Sequence, residues 1–213
     1  MNTTSTLNIG ISIAEPTDMH LWGISKTHIK DAMMELARYA INSGYEISYG
    51  GDLCHHDFLN FVEVLKEIVL RYSDDWEKLK DQKHITNYLA YHLGAETSEE
   101  IKKSFADFIN IVNVPAPTEL EKKNNNNTLQ RFKLLYKARA LTKMREVMND
   151  QINVRVLLAG KITGSSGLYP GLIEESYLAL KAKKPVFLLG GFGGCTHKII
   201  ELIEKKRPKE ISL

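Results

Sequence analysis

The sequence predicts an α/β fold, a Rossmann-like three-layer sandwich with a mostly parallel central sheet. Three observations predict it. The first 52 residues read strand, helix, strand, which is a βαβ unit. The last third returns to the same alternation, with short apolar runs separated by amphipathic helices. Glycine clusters follow the strands at their carboxyl ends, the edge where such sheets bind ligands.

Element by element, Leu7 to Ala14 is a short run rich in β-branched residues and reads as a buried strand. Thr27 to Asn42 carries Ile29, Met33, Leu36, Ala37, Ala40 and Ile41 on one helical stripe, and Gly44 follows as a C-cap. Tyr45 to Tyr49 is the second strand. Residues 57–72 form an amphipathic helix, and 73–83 are charged and loop-like. Ile85 to Tyr91 reads as a strand, 96–106 as a helix, and Phe108 to Val114 as a strand ended by Pro115 and Pro117. Asn124–Asn127 is a low-complexity loop or the start of the next helix. Then come a long helix at 128–149, a strand at Val154 to Ala159, a helix from Pro170 to Ala182, a strand from Pro185 to Leu189, and a last helix from Thr196 to Lys206.

Composition narrows the function classes. The 213 residues, 43% hydrophobic and 25% charged, suit one domain over 1–213 with a variable insertion around 73–126. A net charge of +2 with no dominant basic block argues against a nucleic-acid partner. The two cysteines, Cys54 and Cys195, form no CxxC pair, which points to a reducing cytoplasm. No apolar stretch is long enough to cross a bilayer, and the N-terminus lacks a signal-peptide layout.

Four loops are expected at one edge of the sheet. The first runs from Gly10 to Asp18 and includes Ser12; the second is Gly50-Gly51-Asp52. The third spans Gly160 to Gly171, with Lys161, Thr163, Gly164, Ser165 and Gly167, and Pro170 opening the next helix. The fourth, Gly190 to Thr196, contains Gly191, Gly193 and Gly194. Glycines admit close backbone approach, and a helix N-terminus favours an anion, so these loops are expected to hold a phosphate-bearing small molecule. The spacing is neither a Walker A motif nor a dinucleotide G-x-G-x-x-G, and no cofactor is implied.

Arg145 shares a helix face with Leu141, Ala138 and Leu134, so it sits beside an apolar stripe and needs a partner. Two readings stand: a salt bridge to a core carboxylate, or a fork for a ligand's phosphate or carboxylate. Arg139 flanks the same surface. Glu174 and Glu175 open the helix after the glycine loop, where carboxylates suit the helix dipole; Glu175 also shares a face with Leu172, Ala179 and Ala182. His55-His56-Asp57 lacks an obvious third ligand, so no metal site is expected. Cys195 falls at a predicted helix N-terminus, which would lower its pKa, but no arrangement of Cys and His is visible and it reads as a small loop residue.

The segment M-R-E-V-M at 144–148, then V-R-V-L-L-A-G-K, the glycine loop, P-G-L-I-E-E at 170–175 and K-K-P-V-F-L-L at 183–189, resembles the SLOG superfamily. That group includes DNA-processing proteins of the DprA type, LOG-type phosphoribohydrolases and ligand-sensing domains of antiphage effectors. LOG enzymes carry R-K-x-x-M, then P-G-G-x-G-T-x-x-E. Arg145 with Met148 is similar to the first element and Glu175 to the glutamate of the second, while a longer loop replaces P-G-G-x-G-T and Glu146 stands at the lysine position. The resemblance implies a nucleotide-derived ligand of ADP-ribose or cyclic ADP-ribose type, read in bacterial antiphage or stress signalling. It also implies homo-oligomers, and a sensor without its own effector region would need a separate effector protein as partner. The alternative it implies is a nucleotide N-glycosidase or phosphoribohydrolase, with Arg145 and Glu175 as catalytic residues. A DprA-like nucleic-acid role comes third.

Overall fold

A computed structural model of the chain describes residues 6–53, 61–71, 83–118 and 130–208. In chain order the first half contains β1 (Asn8–Ala14), a 3-10 turn (Met19–Trp22), α1 (Lys26–Asn42), β2 (Glu46–Tyr49), α2 (Phe61–Arg71) and β3 (Ile85–Leu89). Then follow α3 (Tyr91–Glu96), α4 (Glu99–Ala106), β4 (Asn110–Asn113) and α5 (Gln130–Gln151). The last third holds β5 (Val154–Ala159), α6 (Gly171–Lys181), β6 (Val186–Leu189), a 3-10 turn (Gly190–Phe192) and α7 (Gly194–Ile203).

The strands build one six-stranded sheet in the order β4-β3-β2-β1-β5-β6, parallel at every pairing. The chain walks outward from β1 to β4. It then returns along α5 to set β5 against the other side of β1. The order of strands therefore reverses between β1 and β5, and in open parallel sheets that switch point opens a crevice at the carboxyl ends.

Two apolar layers seal the sheet. One face stacks Ile9, Ile11, Ile13, Ile47, Val156 and Leu158 under α1 and α2, which contribute Ile29, Met33, Ala37, Leu65 and Ile68. The opposite face carries α5 through Ala140, Met144 and Met148, and α6 and α7 through Leu172, Cys195 and Ile199. Right-handed crossovers require this division, since the chain leaves β1 in one direction and β5 in the other.

The second face is not apolar throughout. Gly10 of β1 lies in register between Ser48 of β2 and Arg155 of β5. Laterally paired residues in a sheet point to the same side, so a polar strip crosses the sheet beneath α5 and α6.

Several boundaries differ from expectation. The stretch read as one helix at 96–106 begins earlier and breaks in two, because Ser98 caps α4 by accepting the Ile101 N–H. Tyr91, read as the end of a strand, starts α3. The last helix begins at Gly194 instead of Thr196 and ends at Ile203. In the stretch read as an insertion, the described part supplies β3, α3, α4 and β4, so it belongs to the sheet and its cover. Cys54, the His55-His56-Asp57 run and Asn124–Asn127 lie outside the described residues.

Candidate functional site

The reversal between β1 and β5 brings together residues from distant parts of the chain. Glu175, in the second turn of α6, is the centre. Its Oε1 accepts from Arg145 Nε of α5 at 3.2 Å. Its Oε2 accepts from Ser12 Oγ of β1 and from Arg155 Nη1 of β5, the latter at 2.9 Å. Arg155 Nη1 also donates to Ser12 Oγ at 2.9 Å. Next door, Arg145 Nη1 pairs with Glu174, whose other oxygen accepts from Thr142 Oγ1 at 2.6 Å. Two arginines thus meet two glutamates under the start of α6.

The helices set this geometry. Thr142 and Arg145 lie three residues apart on α5, so they face the same neighbour. That neighbour is α6, where Glu174 and Glu175 are adjacent and fan out, one to Thr142 and one to the sheet. Gly171 opens α6 hard against the Arg145 guanidinium, where any side chain would collide.

Burial perturbs the groups around Glu175. Arg155 is 0% exposed, and burial pulls its guanidinium below the usual range while the charge of Glu175 opposes that pull. The Tyr49 phenol of β2 is pushed well up by burial and then by the charge of Glu175. Burial likewise pushes the Cys195 thiol up to about 12. Cys195 is thus pushed the opposite way to the expected effect of the helix end. It does stand in the first turn of α7, but it is sealed in an apolar cluster, and desolvation outweighs the helix end.

Amides of the fourth loop, which was expected to hold phosphate, have partners within the chain. The Gly194 N–H donates to the Asp18 carboxylate at 3.1 Å. The Cys195 N–H donates to the Gly160 carbonyl at 2.9 Å, and that of Gly193 to Gly190 at 3.1 Å. The chain's own carboxylate occupies the anion position at the start of α7. Gly194 must be glycine, with φ at 62° and the space for a Cβ filled by the Gly160 carbonyl. Asp18 also accepts the Trp22 indole N–H at 3.1 Å, and Trp22 leans on His197 with ring centroids 4.3 Å apart.

The remaining candidates divide by position. Gly10 is inside β1, not in a loop; a Cβ there would come 2.7 Å from Ile152 Cδ1 and 3.4 Å from Arg155 Cζ. Gly160 is buried, its N–H on the Ala14 carbonyl. Lys161, Thr163, Gly164, Ser165 and Gly167 form an exposed loop over the switch point, with Ser165 Oγ donating to the Gly167 carbonyl at 3.1 Å. Gly50, Gly51 and Asp52 follow β2, on the far side of β1 from that loop. Gly50 faces Met144 and Met148, and the Gly51 carbonyl accepts Asn87 Nδ2 at 3.0 Å. Arg139 and Gly191 are exposed, and Gly193 is buried against Trp22.

The sequence reading missed Arg155, Thr142 and Asp18. Arg155 did leave a signal: it is the one charged residue in the run Val154–Ala159, and a buried charge needs a partner. Asp18 left none, since only the folded chain brings it to Gly194.

Compared with known proteins, a family model described as SLOG cluster2 matches residues 3–213. No curated protein matches the chain.

Proposed function

The chain belongs to the SLOG superfamily, and from that premise we propose that it binds a nucleotide-derived small molecule of ADP-ribose or cyclic ADP-ribose type. In this reading the bound state reports an antiphage or stress signal to a separate effector protein. The observation that carries the reading is the contact of Arg145 with Glu175 near the start of α6, the helix that follows the exposed glycine loop after β5. Arg145 and Lys161 would meet phosphate oxygens, and the uncapped N-terminus of α6 adds a favourable dipole.

A LOG-type N-glycosidase is the second reading, because the sequence around Arg145 and Glu175 resembles the motifs that carry the arginine and glutamate of those enzymes. The hydrogen bonds favour binding. Both oxygens of Glu175 already accept from Arg145, Ser12 and Arg155. A carboxylate so held suits a fixed acceptor for ribose hydroxyls better than a group that must activate water.

The test is a thermal melt with ADP-ribose, cyclic ADP-ribose, NAD and AMP, run beside an assay for released base. A sensor at roughly 100 times Kd gains about 2.7 kcal/mol and melts several degrees higher with its ligand intact. Release of base, lost in Glu175→Ala, would replace this reading with the enzyme. No stabilisation and no release would reject both.

A further inference from the structure

Arg155 stands where the strand pattern asks for an apolar residue. Val154, Val156 and Leu158 fill one face of β5, and Leu157 packs against Leu172 on the other. Burying a guanidinium in such a place is costly, and a well-packed apolar side chain of similar volume commonly does as well or better for stability. The reason for an arginine must lie in what it touches. Gly10 lies beside it in the neighbouring strand, and its Nη1 ends on Ser12 and Glu175. Its Nε and Nη2 have no hydrogen-bond partner among the described residues.

Glu175 therefore has two cationic partners of unequal freedom. Arg155 is sealed at 0% exposure, whereas the Arg145 side chain keeps 15% and has a second carboxylate, Glu174, within reach. Among the described residues, the other groups facing Glu175 are Ser12 of β1, Tyr49 of β2 and Cys195 of α7. All three are neutral near pH 7, the phenol and thiol being pushed up by burial. None of them can replace a departing cation.

We propose that Arg155 is a positioning residue: the permanent counterion of Glu175, which lets Arg145 leave that carboxylate and turn to an anionic group of a ligand. Without Arg155, the departure of Arg145 would strand a buried carboxylate, and the arginine would stay where it is. The hand-over rests on the binding reading above for the anion that draws Arg145 away. The anchoring of Glu175 does not.

Side-chain NMR of the Arg145 Nε–H group, with Arg155→Met, Arg155→Lys and Ser12→Ala, tests both parts. Without ligand, Arg155→Met makes Arg145 the sole counterion, and its Nε proton exchanges with water about tenfold more slowly. With ADP-ribose as probe, the Arg145 resonance moves in the wild type and stays in place in Arg155→Met, whose affinity drops by about tenfold. Arg155→Lys keeps the charge and recovers part of that loss. If Arg155→Met does not fold, Ser12→Ala, which removes the bridging hydroxyl, shows the same changes at smaller size. Unchanged proton exchange together with unchanged affinity overturns the proposal. If the wild type binds neither ADP-ribose nor inorganic phosphate, the hand-over falls with the binding reading, and the ligand-free exchange alone decides the role of Arg155.

Discussion

Glu175 Oε2 lies 2.9 Å from Arg155 Nη1, and this ion pair is buried between β5 and α6. Glu175→Gln keeps the shape of the side chain but leaves the Arg155 charge uncompensated in the interior. We expect a loss of about 3–5 kcal/mol in unfolding free energy, measured by urea denaturation. Glu174→Gln is the contrast. Its side chain is partly exposed, Arg145 retains Glu175, and the expected loss is about 1 kcal/mol or less.

Asp18 caps α7 from the loop after β1. Asp18→Ala removes the anion at the Gly194 amide and the acceptor of the Trp22 indole. The expected cost is about 1 kcal/mol. Emission attributable to Trp22, read as the difference from a Trp22→Phe control, should shift as well. An unchanged melt and an unchanged difference spectrum would contradict the cap.

Steric room separates two glycines that share a positive φ. Gly194→Ala meets both a φ of 62° and the Gly160 carbonyl, and should cost about 3 kcal/mol or more. Gly164 has a φ of 75° but nothing within 4 Å of a built Cβ, so Gly164→Ala should cost about 1 kcal/mol. Equal losses in chemical denaturation would mean that the packing of Gly194 against Gly160 contributes nothing.

Alkaline pH should weaken the fold through Cys195. Its folded pKa is raised by burial from 9.0 to about 12. The unfolded thiol therefore ionises first, and the stabilising effect is full below pH 9.0 and lost as pH rises from there towards about 12. Cys195→Ala should flatten the decline of melting temperature above pH 9.0, although buried Tyr49, raised in the same direction, keeps part of the slope. Native protein at pH 8 should also resist alkylation at Cys195. Rapid labelling would show that the thiol is not sealed.

Much of this arrangement was legible in one dimension. Helical spacing set Arg145 on the row of Leu141, Ala138 and Leu134, but Leu134 is exposed and the buried stripe of α5 runs through Ala140, Met144 and Met148 beside it. The face of Glu175 is buried with Leu172 and Ala179, though Ala182 at its end is exposed, and the Arg145 and Glu175 side chains touch. Lateral register was not legible. Nothing in the order of residues tells that Gly10 lies beside Arg155, so Gly10 read both as part of the first strand and as the start of the first loop, when it is a strand glycine packed against Ile152 and next to a guanidinium. The same limit hid Asp18. Its partner is an amide far along the chain, and any helix N-terminus with a glycine run reads as an open anion site until the chain's own carboxylate is seen to fill it.

The strand order also sets a timetable. Ile9 pairs with Ile47 on one flank and with Val154 on the other, so the ribosome delivers one neighbour of β1 early and the second very late. In that interval the middle of the future sheet shows a bare edge of N–H and C=O groups, open to adhesion with other nascent chains. Ser12 likewise waits for Arg155 and Glu175. A polypeptide stalled before Val154 would be an aggregation hazard that carries Ser12, Thr142 and Arg145 but lacks Arg155, Glu174 and Glu175, the charges they meet.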